Sequence, residues 1–216
     1  MRVLILGAGG HAQVVADILL RMRDAGSEVA PIGFLDDDPG LVGRRYLGLP
    51  VLGTLSDLAG IPRDAVLVAI GDNATRQRLF RHLQEGGERF AIACHPRAIL
   101  APDVQIGPGS MVCAGAVVNT GTTIGANVIL NTACSVDHHN QVGDHTHIAP
   151  GVHLGGQVTI GEGCFVAIGS SVIPGRTIGP WSMIGVGSAV TKDIPSGVMA
   201  VGIPARVVSK LRVEGA

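Results

Sequence analysis

Five of the eight histidines fall within sixteen residues: His138, His139, His145, His147 and His153. Imidazole changes its charge near neutral pH, so such a group on a rigid support can move protons in a reaction. Aliphatic residues recur every six positions through this stretch, at Val136, Val142 and Ile148. His138 lies two residues past Val136 and His147 one before Ile148, so neither takes the repeated core position. Both are expected to point outward. His139, His145 and His153 read individually as solvated surface residues. A second chemical stretch opens the chain, where Gly7-Ala8-Gly9-Gly10-His11-Ala12 follows the apolar run of residues 2–6. Glycines there let the backbone approach a phosphate, and a helix beginning after them would offer it unpaired N–H groups.

The elements that position the histidines are set by the period of six. From Ile106 to Val190, fifteen consecutive sixth positions are Ile, Val or Leu, with no interruption. A helix face would repeat every 3.6 residues and a strand every two. Six is a multiple of two, so each unit is expected to be a short strand with one inward aliphatic. Gly107, Gly125, Gly143, Gly155, Gly161, Gly179 and Gly185 follow that position, and are expected to turn the chain between flat faces. Units this short must stack into a solenoid, and hexapeptide repeats are a β-helix signature. The hexads resemble the left-handed parallel β-helix of hexapeptide-repeat acyltransferases. That resemblance implies three hexads to a triangular coil and five coils in all. Residues 18 apart then stack, placing His138 between Thr120 and Gly156. Small neighbours there are expected to leave room for a ligand beside the ring.

Ahead of the repeat, strands and helices alternate. Strands are expected at 2–6, 31–35, 65–70 and 90–94, with helices at 11–23 and 74–85, which makes a small parallel α/β domain. Asp36 and Asp37 end the second strand and Gly71 follows the third, where carboxylates can accept hydrogen bonds from a ribose or base. The domain is too short for the full six-stranded dinucleotide fold, which favours a single nucleotide. We expect a Rossmann-like domain at 1–95, a β-helix domain at 96–195 and a C-terminal cap at 196–216.

Composition narrows the class. Hydrophobic residues are 46% of the chain but aromatics only 3%, as a narrow coil interior filled by Val, Ile and Leu would require. A net charge of −1 gives no electrostatic case for a nucleic-acid partner or an acidic membrane. No apolar run approaches a membrane span, and the first residues run into a strand and turn instead of a cleavable leader. A cytoplasmic protein is expected. The four cysteines show neither C-x-x-C nor zinc spacing and read as small buried hydrophobes.

The whole chain resembles the sugar O- and N-acyltransferases that join a nucleotide-sugar domain to a hexapeptide β-helix. These are the enzymes that acetylate nucleotide-linked 4-amino-4,6-dideoxysugars, and the sialic acid O-acetyltransferases. The likeness rests on the Gly7–His11 loop, Phe34-Leu35-Asp36-Asp37, Ala69-Ile70-Gly71, the His138 hexad, His147-Ile148-Ala149-Pro150-Gly151 and Gly202-Ile203-Pro204-Ala205. It implies acetyl-CoA as cosubstrate, a homotrimer with sites between adjacent β-helices, and no metal. It makes His138 the general base, with His139 the next candidate. His147, Ile168, Gly185 and Gly187 would line the acetyl-CoA site. Gly9, Gly10, His11, Asp36, Asp37, Gly71 and Gly156 would hold the nucleotide sugar. Where the family has an acid directly after the base, this chain has His139; Asp137 and Asp144 are the nearby acids that could take its part. Two other readings stay open: a metal-dependent hydratase of the γ-carbonic anhydrase type, if three imidazoles converge, and a non-catalytic nucleotide-sugar-binding protein.

Overall fold

A computed structural model of the chain describes residues 1–211, and the last five residues of the expected cap at 196–216 lie outside them. The chain divides into two compact units, Met1–Pro96 and Arg97–Ala216.

The first unit is built on β1 (Arg2–Leu6), whose Val3, Leu4, Ile5 and Leu6 are fully buried. Such a run belongs to a strand covered on both faces. It is followed by α1 (Gly10–Asp24), β2 (Ala30–Leu35), a hairpin of β3 (Arg45–Tyr46) and β4 (Leu49–Gly53), β5 (Ala65–Val68) and α2 (Asn73–Glu85). The sheet order is β3-β4-β2-β1-β5, parallel except for the hairpin. One helix turns Ala12, Val15, Ala16, Ile18 and Leu19 inward, spacings of three and four that make an apolar stripe. One expectation needs correction, and one element was not foreseen. Residues 90–94 do not form one strand: Phe90 makes a single bridge to Val66, and only Ala93–Cys94 is extended. Phe90 instead stacks on Phe80 with ring centres 4.0 Å apart. The hairpin escaped the sequence reading because its two strands are short and Pro50 interrupts the second.

The second unit is a left-handed parallel β-helix of two-residue strands. One face stacks Met111–Val112, Ile129–Leu130, His147–Ile148, Phe165–Val166 and Met183–Ile184. The next stacks Ile99–Leu100, Val117–Val118, Ser135–Val136, His153–Leu154, Ser171–Val172 and Ala189–Val190. The third stacks Gln105–Ile106, Thr123–Ile124, Gln141–Val142, Thr159–Ile160 and Thr177–Ile178. Paired residues are 18 apart, as in Ser135 with His153, and the second residue of each strand points inward. The stacked strands begin before Ile106: Ile99–Leu100 already pairs with Val117–Val118. After Val190 the period shortens: Ile178 pairs with Ile194 and Met183 with Met199. An antiparallel hairpin, Val198–Val201 with Arg206–Lys210, ends the described stack.

The corner glycines were assigned to the wrong position. Gly107, Gly125, Gly143, Gly155, Gly161, Gly179 and Gly185 have no left-handed backbone; a Cβ on them would lie 2.3–2.8 Å from atoms of the next coil. They are small so that coils can stack. The left-handed residue comes two positions later in every unit, from Gly109 through His139 to Gly187. At Asn127, Ala133, His139, His145, Gln157 and Trp181 a side-chain-bearing residue accepts that conformation, at a cost of about 1–2 kcal/mol each.

Candidate active site

His138 and His139 occupy the corner between the second and third faces. The backbone there is pinned from both neighbouring coils: His139 N–H donates to Thr120 O and Gln157 N–H to His138 O, each at 2.9 Å. Buried Asn140 donates to Asp137 O at 2.8 Å, and Thr122 donates to the same oxygen at 2.9 Å. This internal ladder fixes where the two side chains leave the coil.

Both histidines stay exposed, and their Nδ1 atoms are 3.1 Å apart with the rings edge to face. One Nδ1 must donate and the other accept. If His138 donates, its Nε2 keeps a free lone pair, the form a general base needs. Gly156 has a different role from the one expected. A Cβ there would lie 2.5 Å from His138 Cε1 and 2.6 Å from Nε2, so the space left by the missing side chain holds the His138 ring itself. Gly121 is filled in the same way by His139. Neither nearby acid reaches the ring as a hydrogen-bond partner. Asp137 accepts the backbone N–H of His138 at 2.8 Å and Asn119 Nδ2 at 3.0 Å. Asp144 accepts Ala126 N–H at 2.7 Å on the next corner.

The remaining histidines separate. His145 is buried, not solvated as expected, with Nδ1 2.8 Å from Asn127 Nδ2. His153 is exposed and bonds Ser135 Oγ at 2.7 Å on the second face. His147 stands on the first face, with Nε2 3.1 Å from Asn131 Nδ2 and its ring against Phe165. Among the described residues, no three His, Cys, Asp or Glu side chains converge as a metal site. Burial pushes the thiols of Cys113 and Cys134 up to about 12 and that of Cys164 to about 11, which keeps them from acting as nucleophiles.

Ile168 and Gly187 lie on the corner between the first and second faces, beside the strand that carries His147. The exposed residue missed by sequence reasoning is Val186, one coil beyond Ile168; the two are 74% and 55% exposed and make an apolar strip. Gly187 N–H donates to Ile168 O at 2.9 Å and keeps the two turns in step. Gly185 does not fit the expected role: it is buried, and a Cβ on it would meet Val201 Cγ1 at 2.6 Å. Its small size serves the terminal hairpin. Thus a single chain carries the His138 pair on one corner and the apolar strip on another. Six residues to a face, each advancing about 3.3 Å, put those corners roughly 15–20 Å apart.

In the first unit, Gly9, Gly10, His11, Asp36, Asp37 and Gly71 gather at the carboxyl ends of the adjacent strands β2, β1 and β5. Sheets of this kind bind ligands where connections diverge to either side. The helix following Gly9 has no side-chain cap and no acid in its first turn, whereas α2 is capped by Asp72, which accepts Thr75 N–H at 2.8 Å. The uncapped end is therefore the better anion site. Gly9, Gly10 and Gly71 are exposed, with no atom within 4 Å of where a Cβ would stand. Asp36 is partly committed: it accepts Ala8 N–H at 2.7 Å and Asp38 N–H at 3.0 Å and so ties two loops together. Asp37 is exposed. Burial, and then the charge of Arg76, pushes His11 down to about 4, so it is neutral at pH 7. Arg76, read from the sequence as one of several helix cations, is fully buried and donates to Ile70 O at 3.1 Å and Gly71 O at 3.3 Å.

Residues 2–83 match the family model described as the PglD N-terminal domain. Perosamine N-acetyltransferase from Caulobacter crescentus, solved as a histidine-to-asparagine mutant in complex with CoA and GDP-perosamine, is 38% identical. That match covers 97% of this chain and 98% of that one, with a TM-score of 0.88. The acetyltransferase domain of PglB from Neisseria gonorrhoeae, in complex with acetyl coenzyme A, is 34% identical over 96% of this chain and 98% of that one, with a TM-score of 0.88. UDP-N-acetylbacillosamine N-acetyltransferase from Bacillus subtilis is 36% identical over 114 residues, 52% of this chain. The chain spans about half the length, or less, of the curated relatives it matches.

Proposed function

The chain belongs to the hexapeptide-repeat sugar acyltransferase family, and on that premise we propose that it is an acetyl-CoA-dependent N-acetyltransferase of nucleotide-linked amino sugars. The acceptor in this reading is the 4-amino group of a UDP- or GDP-linked 4-amino-4,6-dideoxysugar. The observation that carries it is the exposed His138 imidazole, locked against Gly156 with Nδ1 on His139 and Nε2 left to take a proton. As the amine nitrogen attacks the thioester carbonyl, Nε2 of His138 accepts its proton. The carbonyl carbon becomes tetrahedral and then releases CoA thiolate, and no acyl-enzyme forms. The first unit supplies the nucleotide-binding groups, with the uncapped start of α1 for phosphate and neutral His11 and Asp37 for polar contacts.

The two corners support an oligomeric site. His138 in one chain stands a full face away from Ile168, Val186 and Gly187 of the same chain, too far to act on one thioester. A closed ring of three chains sets the base corner of each against the apolar corner of the next. His147, Ile168 and Gly187 would then hold acetyl-CoA for the neighbour's His138. Thiol release from acetyl-CoA, measured against a panel of UDP- and GDP-linked amino sugars, tests the reading. Turnover is expected with one 4-amino-4,6-dideoxysugar and not with its 4-hydroxy analogue. Turnover of the hydroxy sugar instead would replace N-acetylation by O-acetylation, and silence on every sugar would leave a binding protein.

A further inference from the structure

Residues 103, 121 and 139 fall in one column of the β-helix, each 18 after the last: Asp103, Gly121 and His139. Gly121 has no side chain, and Asp103 from the coil below and His139 from the coil above both reach it. From below, Asp103 Oδ2 accepts Gly121 N–H at 2.8 Å and Thr120 Oγ1–H at 2.8 Å. From above, His139 Cδ2 and Nε2 lie 2.7 and 2.9 Å from where a Gly121 Cβ would stand. His139 Nδ1 in turn meets His138 Nδ1 at 3.1 Å. Asp103 and His139 thus meet Gly121 from opposite coils and interact through charge, not a hydrogen bond, and His139 in turn contacts the proposed base.

We propose that Asp103 is the positioning carboxylate of this site, acting through His139 to keep the proton of His138 on Nδ1 and to stabilise the charge that develops when Nε2 takes a proton. The inference rests on the base role given to His138 above. His139 accepts at Nδ1 from His138 and carries its own proton on Nε2, the nitrogen turned towards Gly121 and the Asp103 side. No proton passes to Asp103. When the substrate's proton arrives at His138 Nε2, the positive charge spreads over the two rings and is opposed by the fixed negative charge. Hydrogen bonds from Thr120 and Gly121, and more weakly the charge of His139, hold the Asp103 carboxyl below the usual range, so it stays ionised at neutral pH.

Asp137, the residue before His138, also interacts with that ring through its charge. The turn below the histidines (Asn119, Thr120, Gly121) and the one above (Gly156, Gln157) carry no titratable side chain.

The test is a double-mutant cycle on the full chain. Asp103→Asn keeps an oxygen that can accept both hydrogen bonds, so the corner stays folded while the charge goes. It is expected to lower kcat/KM roughly 10-fold at neutral pH and to move the acid limb of the pH profile down by about half a unit, with KM for acetyl-CoA unchanged. His139→Asp puts a carboxylate directly beside His138, in a residue type that tolerates the left-handed backbone. On that background Asp103→Asn should cost less than about twofold, while Asp137→Asn should act alike on both backgrounds. Equal losses from Asp103→Asn on both backgrounds would overturn the proposal and leave Asp103 a turn cap. Titration of the His138 ring by NMR decides the matter without turnover: its midpoint should fall in Asp103→Asn, and an unmoved midpoint would again overturn it. Absence of turnover in the parent protein would count against the function, not against this linkage.

Discussion

At the scale of the residue, the placement of the proposed base depends on a missing methyl group. Gly156 has an ordinary backbone, so alanine is not excluded by strain there, yet its Cβ would come within 2.5 Å of the His138 ring. The ring is the movable end of a side chain and would swing aside instead of distorting the coil. Gly156→Ala is therefore expected to leave Tm within a few degrees while lowering kcat/KM by about 10- to 100-fold, which thermal melts and thiol release on one preparation would check. The sequence singles out His138 as the candidate base but does not show how it is held. The stacking of His138 on Gly156 follows once coils of 18 are assumed, whereas the meaning of the glycine was inverted: it receives the ring, not a ligand. The side-chain bonds of Asp36, the burial of Gly185 and the burial of Arg76 depend on contacts between segments far apart in the chain, which local pattern does not carry.

At the scale of the element, the first unit carries a pH signature. His11 titrates near 6.5 in the unfolded chain and is pushed down to about 4 in the folded one. Below pH 6.5 the unfolded chain takes up a proton that the folded chain refuses, so stability falls with pH until about 4 and then levels. The full difference is about 3 kcal/mol. His11→Asn should flatten that part of the stability curve between pH 6.5 and 4, as denaturant unfolding across the range would show; an unchanged curve would mean the proton is taken up elsewhere. The elements themselves were largely legible. Long periodic signals survived: the aliphatic hexads, the strand of residues 2–6 and the two amphipathic helices. The hairpin at 45–53 and the broken segment at 90–94 did not, because each strand there is too short to show a period. The corner residue was misplaced because glycine occurs in two columns for two reasons, stacking clearance and left-handed backbone, and composition does not separate them.

At the scale of the whole molecule, the proposed site needs two chains. The proposed base corner and the apolar corner belong to different edges of one prism, which the proposed ring of three would bring together. Mixed assemblies of two inactive variants test that requirement and the base together. His138→Ala removes the proton acceptor, and Ile168→Glu sets a charge on the apolar strip; each alone should turn over negligibly. Dissociated, mixed in equal amounts and reassembled, they should recover about one quarter of parental thiol release, since one interface in four would pair an intact base with an intact strip. A mixture no more active than its components, or a His138→Ala protein that keeps full turnover, would contradict the account.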